Sequence, residues 1–233
     1  MKLWENVTES LLKLFLTSPC PLCQRPSAAC FCPDCQRKLQ HCQLPIAEQW
    51  IPGQLPIIAW GAYNGSLKQV LAKLKYNDQP HLAQPLGYWL AQTWFNSPLA
   101  KKLKTQKGPL SRPVVIPIPL HSSRQQQRGY NQAELLAQSF CQVTRLPLQR
   151  KGLERIRATE AQFGLSAAAR QQNLNHAFRP GQGLLQKVPA CAILLDDIYT
   201  TGVTARSAAQ TLHQQKVEVY SIVAVARTLG QKL

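Results

Sequence analysis

The chain has 233 residues, 45% of them hydrophobic, enough for one ordinary domain with a sizeable core plus a small appendage. No apolar run approaches the roughly 18–20 residues of a membrane span, which excludes stable membrane insertion as the reading. Lys and Arg number 27 against 11 Asp and Glu, and the resulting formal charge of +16 favours a polyanionic partner: nucleic acid, an anionic membrane surface or phosphorylated molecules.

In chain order, residues 1–19 read as a short amphipathic helix, with Leu3, Val7, Leu11, Leu14 and Phe15 near one face. Glu5 and Glu9 interrupt its apolar character, which argues against a signal peptide. Six of the eight cysteines fall within residues 20–42, and a proline-containing connector, 43–56, follows. The pattern then predicts a strand over 57–63, helices over 67–76 and 82–95, and a helix end plus basic loop over 97–112. Next come a strand over 114–119, a helix over 133–143 and a glutamine-rich loop over 155–179, suited to cover a site. A strand over 190–195, a helix over 203–214 and a strand over 217–226 complete the chain. Strands alternating with helices imply a mostly parallel α/β sheet.

Within the cysteine segment, Cys20-Pro-Leu-Cys23 and Cys32-Pro-Asp-Cys35 form two C-x-x-C pairs separated by eight residues. Each pair presents two thiolates to one ion, and two pairs supply the four soft ligands of a tetrahedral structural zinc. A segment this short buries little core alone, so metal binding would also be its folding energy. Cys30, Cys42 and His41 are spare, and four thiolates leave no open position for metal catalysis. A redox dithiol is the competing reading.

The stretch CAILLDDIYTTGVT, Cys191 to Thr204, sets two carboxylates and a hydroxyl-rich glycine turn at the end of an apolar strand. Open parallel sheets hold ligands at that edge. Thr200, Thr201, Gly202, Val203 and Thr204 form a turn into a helix, whose amides and positive end suit a phosphate. Asp196 and Asp197 suit the vicinal hydroxyls of a ribose. A second string, PIPLHSSRQQQRGYNQAE from Pro117 to Glu134, carries Arg124 and Arg128 in a loop after a strand, facing the same edge. Guanidinium groups there suit a pyrophosphate. Arg155 and Arg157 on the glutamine-rich segment are placed to close over it.

The first string resembles the phosphoribosyl pyrophosphate motif of type I phosphoribosyltransferases. Tyr199 is bulkier than the aliphatic residue usual there. Thr200 stands where purine-salvage members carry an Asp, which argues against purine salvage. The second string resembles the signature of the ComF competence family, whose architecture sets a cysteine module before a phosphoribosyltransferase-like domain. Ala62-Tyr63-Asn-Gly65, Leu74-Lys75-Tyr76, Gln162, Arg170, Asn173 and Phe178 also fit.

The resemblance implies an α/β chain with a type I phosphoribosyltransferase fold over 43–233 and a four-cysteine zinc module over 20–42. It implies binding of phosphoribosyl pyrophosphate with Mg²⁺, contact with single-stranded DNA and with proteins of the DNA-uptake machinery, and a cytoplasmic place, up to the inner face of the membrane. Lys68, Lys73, Lys75, Lys101, Lys102, Lys104 and Lys107 are candidates to track DNA phosphates. Trp50, Trp60, Tyr63 and Tyr130 are candidates to stack bases. A phosphoribosyltransferase with an unidentified acceptor, and a non-catalytic sensor of phosphoribosyl pyrophosphate, stay open beside this reading; no residue that selects or deprotonates a base is visible.

Overall fold

The computed structural model of the chain describes residues 17–50, 54–108, 110, 112–157 and 177–229. The expected N-terminal helix over 1–19 falls almost wholly outside them, as do 158–176 with Gln162, Arg170 and Asn173. The elements in chain order begin with the cysteine module, where β1 (Ser18–Pro19) pairs antiparallel with β2 (Pro26–Ser27) and α1 (Pro33–Gln40) follows. Next are β3 (Glu48–Gln49), β4 (Ile57–Ala62), α2 (Gly65–Tyr76), α3 (Ala83–Asn96) and α4 (Pro98–Thr105). Then come β5 (Val114–Pro117), α5 (Ser122–Arg128), α6 (Gln132–Thr144), β6 (Leu153–Arg155), β7 (Phe178–Pro180) and α7 (Gln182–Gln186). The last are β8 (Cys191–Tyr199), α8 (Val203–Gln214) and β9 (Glu218–Arg227).

The central sheet has the order β3-β4-β9-β8-β5. β4, β9, β8 and β5 run parallel, and β3 is an antiparallel edge. The apolar runs in β8 and β9 have no polar alternation because both faces are covered. Side chains alternate across a strand, so Ile193 and Leu195 join one core while Ala192 and Leu194 join the other. The first core takes Leu67, Val70, Leu71 and Leu74 from α2, with Leu86 and Leu90 from α3 and Leu136 and Phe140 from α6. The α2 residues recur at the spacing of one helical face, and each contributes about 1.5–3 kcal/mol by its burial. The second core takes Ala205, Ala208, Ala209 and Leu212 from α8, with Leu153 and Phe178 from the β6–β7 pair.

Several expectations change. The basic loop of 97–112 contains a helix of its own: Ser97 caps α4 by accepting from the Ala100 amide (3.1 Å), Pro98 opens it, and Leu99 and Leu103 are buried. The loop carrying Arg124 and Arg128 is the short helix α5, ended by Gly129 in the left-handed region (φ 79°). The glutamine-rich segment is flanked by paired strands, with Leu153 opposite Pro180 and Arg155 opposite Phe178. β8 continues past Leu195 to Tyr199, so both aspartates lie inside the strand, and Asp196 is registered with Ala224 of β9.

Candidate functional site

The cysteine cluster draws its geometry from two turns. Gln24, in the left-handed region, folds the chain back so that its amide donates to the Cys20 carbonyl (2.8 Å), and Cys32 begins α1. The sulfurs of Cys20, Cys23, Cys32 and Cys35 all lie within 4.8 Å of one another. Zn–S bonds of about 2.3 Å in a tetrahedron put sulfurs about 3.8 Å apart, so the four thiols need only a small contraction to hold such an ion. Burial would raise the Cys20 thiol, yet the amides of Cys32, Cys23 and Leu22 outweigh it and bring the group down to about 6, poised as a thiolate. Cys30, Cys42 and His41 stand outside the cluster, which fixes the register that the cysteine-rich sequence left open. The thiols of all eight cysteines are free of disulfides.

The module does not stand apart. Phe31 stacks on Trp89 (5.8 Å), and Trp89 on Trp60 of β4 (5.0 Å). Ala62 donates its amide to the Cys42 carbonyl (2.8 Å), and Phe31 and Leu39 share one core with the sheet and α2.

The second candidate site lies at the C-terminal edge of the sheet. Beyond Tyr199, the chain turns through Thr200 and Thr201, both exposed, to Gly202, which starts α8 at φ 73°. Gly202 is favoured there by its left-handed backbone, and a methyl group would also meet the tip of the Tyr199 phenol, 2.7 Å from its Cζ, and push the ring aside. Arg206 reaches back to the Thr201 carbonyl (2.9 Å) and braces the turn. Burial raises the Tyr199 hydroxyl's pKa, with Arg206 opposing.

The two acids differ in their partners. Asp197 is buried; its Oδ1 accepts from the Ile198 amide (2.9 Å) and its Oδ2 lies 2.6 Å from Lys75 Nζ. Asp196 is half-buried and accepts from the Asp197 amide (2.8 Å). Loss of water, then the charge of Asp197, pushes the Asp196 carboxyl well above the ordinary range, with Lys75 opposing. Lys75, one of the residues expected to face DNA, turns inward at the end of α2: its side chain is 19% exposed and pairs with Asp197.

The predicted arginines divide. Burial lowers the Arg155 pKa, while Asp196 and Arg124 act on it in opposite senses, so these three side chains form one electrostatic group. A bridge between His121 and Arg155 brings the β6 end beside α5, and the Arg155 guanidinium lies over Phe178 (5.6 Å). Arg124 is exposed, and so is Arg157, which borders the undescribed residues. Arg128 stacks on the exposed Tyr76 ring (5.3 Å) and bonds Gln132. Asn131, buried, donates to the Ile118 carbonyl (3.2 Å) and caps α6 at the Ala133 amide (3.1 Å), which ties this loop to the end of β5.

No family model matches the chain. It is 28% identical over 201 residues to Competence protein F of Haemophilus influenzae, covering 84% of each chain. It is 30% identical over 217 residues to DNA utilization protein YhgH of Salmonella typhi, covering 90% of each. It is also 28% identical over 204 residues to Competence protein ComFC of Bacillus subtilis, covering 87% of this chain and 75% of that one. The chain belongs to the ComF competence family.

In this ComF chain the other lysines proposed to face DNA lie on two helices. Lys101, Lys102 and Lys104 are exposed on the outer side of α4, with exposed Lys107 just beyond it. The Leu99 carbonyl of that helix is bonded by Tyr220 (3.0 Å), near the start of β9, whereas Tyr199 is registered with Arg227 at the end of β9. The α4 lysines are therefore anchored toward the sheet end opposite the carboxylates. Lys68 and Lys73 lie on α2, Lys68 near the Tyr63 ring (6.0 Å). Of the stacking candidates, Trp60 is buried, Tyr130 is tied to the Leu74 carbonyl (2.6 Å), Tyr63 is half-buried and Trp50 is 61% exposed. Tyr76, 77% exposed, is a candidate that sequence reasoning misses, although its place at a helix end beside a lysine is a signal. Among the described residues no helix is long and apolar enough to cross a membrane.

Proposed function

We propose that the protein binds phosphoribosyl pyrophosphate with Mg²⁺ at the sheet edge and handles single-stranded DNA during DNA uptake, acting on the cytoplasmic side alongside uptake-machinery proteins. In this reading 43–233 is a type I phosphoribosyltransferase-like domain, and 20–42 is a module held by structural zinc on Cys20, Cys23, Cys32 and Cys35. The observation that supports it best is the carboxylate strand end running directly into the Thr200–Thr204 turn and the start of α8, where Gly202 at φ 73° opens the backbone to a phosphate. The carboxylates serve the ribose, Thr200, Thr201, Gly202, Val203 and Thr204 the 5-phosphate, and Arg124 and Arg128 the pyrophosphate. Arg155 and Arg157 close the site from the β6 side. The relatives' names, competence and DNA utilization, supply the biological setting. Thr200 in place of a carboxylate favours binding over purine salvage.

The test is calorimetry with phosphoribosyl pyrophosphate, with and without Mg²⁺. Binding that requires Mg²⁺ and weakens at least about tenfold, or about 1.4 kcal/mol, in the Asp196→Asn, Asp197→Asn double variant is the expected result. Unchanged affinity in that variant would remove the ribose assignment.

A further inference from the structure

Asp196 and Asp197 are adjacent near the end of β8, where the strand's alternation shifts: Ile193, Leu195 and Ile198 join one core, and Ala192, Leu194 and Tyr199 the other. The ion pair with Lys75 (2.6 Å) sets the Asp197 carboxylate toward α2. Lys75 of α2 is bound to Asp197 and also feels the charge of Asp196, which acts in turn on Arg155 of β6. Both oxygens of Asp197 are engaged, one by Ile198 and one by Lys75, in side chains only 6% and 19% exposed.

Lys75 is itself held in place. The residue before it, Leu74, accepts the Tyr130 hydroxyl through its carbonyl (2.6 Å), and the residue after it, Tyr76, is stacked by Arg128. The α5–α6 junction thus clamps the helix end on both sides of the lysine. The start of α2 lies beside the end of β4, where the Tyr63 amide donates to the Arg227 carbonyl (2.8 Å). The helix therefore spans from the end of β4 to β8 and delivers one ammonium to one carboxylate.

We infer that Lys75 is a positioning residue: it holds Asp197 on the α2 side as a neutralised pair and leaves Asp196 as the carboxylate that meets the ribose hydroxyls. This rests on the reading of the edge as a phosphoribosyl pyrophosphate site. A ligand that carries a phosphate and a pyrophosphate is repelled by every uncompensated acid in the floor. With Lys75 in place the charge of Asp197 is neutralised; without it that buried carboxylate is stranded without its cation.

A double-variant cycle read by calorimetry with Mg²⁺ and phosphoribosyl pyrophosphate tests this. Lys75→Met is expected to lose about tenfold in affinity, about 1.4 kcal/mol, and Lys75→Arg to lose less. Adding Asp197→Asn to Lys75→Met removes the stranded acid and is expected to recover most of the loss, a non-additivity that marks direct coupling. Asp196→Asn alone is expected to lose at least about tenfold while its melting midpoint does not fall. A double variant as weak as Lys75→Met, or weaker, would make Asp197 a ligand contact and overturn the inference. Should Lys75→Met not fold, the comparison of the single Asn variants decides: an Asp197→Asn loss equal to or greater than that of Asp196→Asn overturns it. No binding by the unmodified protein would instead overturn the underlying site reading, and the inference with it.

Discussion

Gly202 carries two constraints at one atom. Its φ of 73° costs an L-residue about 1–2 kcal/mol, and a methyl group would have to displace the tip of the Tyr199 ring. Gly202→Ala should therefore destabilise the fold by about 1–2 kcal/mol in denaturant titration and abolish binding of phosphoribosyl pyrophosphate. Tyr199→Val in the same background should return part of the stability by clearing the ring, which distinguishes a local clash from general damage. Asp196 works in the other direction. Its folded pKa is raised above the ordinary 3.8, chiefly by loss of water and then by Asp197, so the native state holds the proton more tightly than the unfolded chain. Stability from this group is fully present below 3.8 and is lost as pH rises through the raised folded value. Above that raised value the ionised carboxylate is a burden on the native state, and there Asp196→Asn should melt higher than the unmodified protein. The scale is about 2–4 °C for each kcal/mol relieved. The gap should close as the pH is lowered toward 4, and a gap that widened instead would place the Asp196 shift in the wrong direction.

The cysteine module and α2 make a single mechanical unit. α1 and Phe31 pack into the core that α2, α3 and the sheet share, so metal held by Cys20, Cys23, Cys32 and Cys35 would stabilise the body and not only its own loop. Purified protein should carry about one zinc per chain by elemental analysis, and Cys23→Ser or Cys35→Ser should release it. Calorimetric melting after chelation should give one transition at a lower temperature; an early transition for the module with an unshifted main one would make 20–42 an independent unit. Much at this scale was readable in the sequence. The strands at 57, 114, 190 and 217 and the α8 span follow from unbroken apolar runs and from the turn residues between them. Two features were harder to read. The polarity of Asp196 and Asp197 made β8 look finished at Leu195, although backbone pairing with β9 carries it to Tyr199 irrespective of side-chain polarity. The lysines of 101–107 hid α4, whose cap, Ser97 with Pro98, and whose apolar pair, Leu99 and Leu103, were legible signals. β3, two residues long, is too short to carry any period.

Across the whole molecule, the proposed ligand edge draws on two short strings that the sequence alone displays, whereas the Lys75–Asp197 pair joins distant segments and follows only from the path of α2 over the sheet. That pair also changes how the +16 charge is allocated. Lys75 is paired internally, which leaves Lys101, Lys102, Lys104 and Lys107 on and just beyond α4, and Lys68 and Lys73 on α2, as the candidates to face DNA. Because α4 is anchored toward the sheet end opposite the carboxylates, DNA held there and phosphoribosyl pyrophosphate held at the edge would not compete for the same groups. Fluorescence anisotropy with a labelled single-stranded oligonucleotide should show affinity falling steeply with salt, at about −0.7 in log–log slope for each phosphate neutralised. Replacing Lys101, Lys102, Lys104 and Lys107 with Ala should weaken binding and flatten that slope by up to about 3. Phosphoribosyl pyrophosphate binding should survive the replacement, and sequence preference should be slight, since phosphate contacts position a strand without reading its bases. Replacing Lys68 and Lys73 should have a smaller effect on DNA, while Lys75→Met should act on the small ligand and leave the salt slope in place. A slope that falls with Lys75→Met but not with the α4 replacement would move the DNA to the carboxylate edge. No binding even at low salt would assign the charge to phosphorylated small molecules or to an anionic membrane surface.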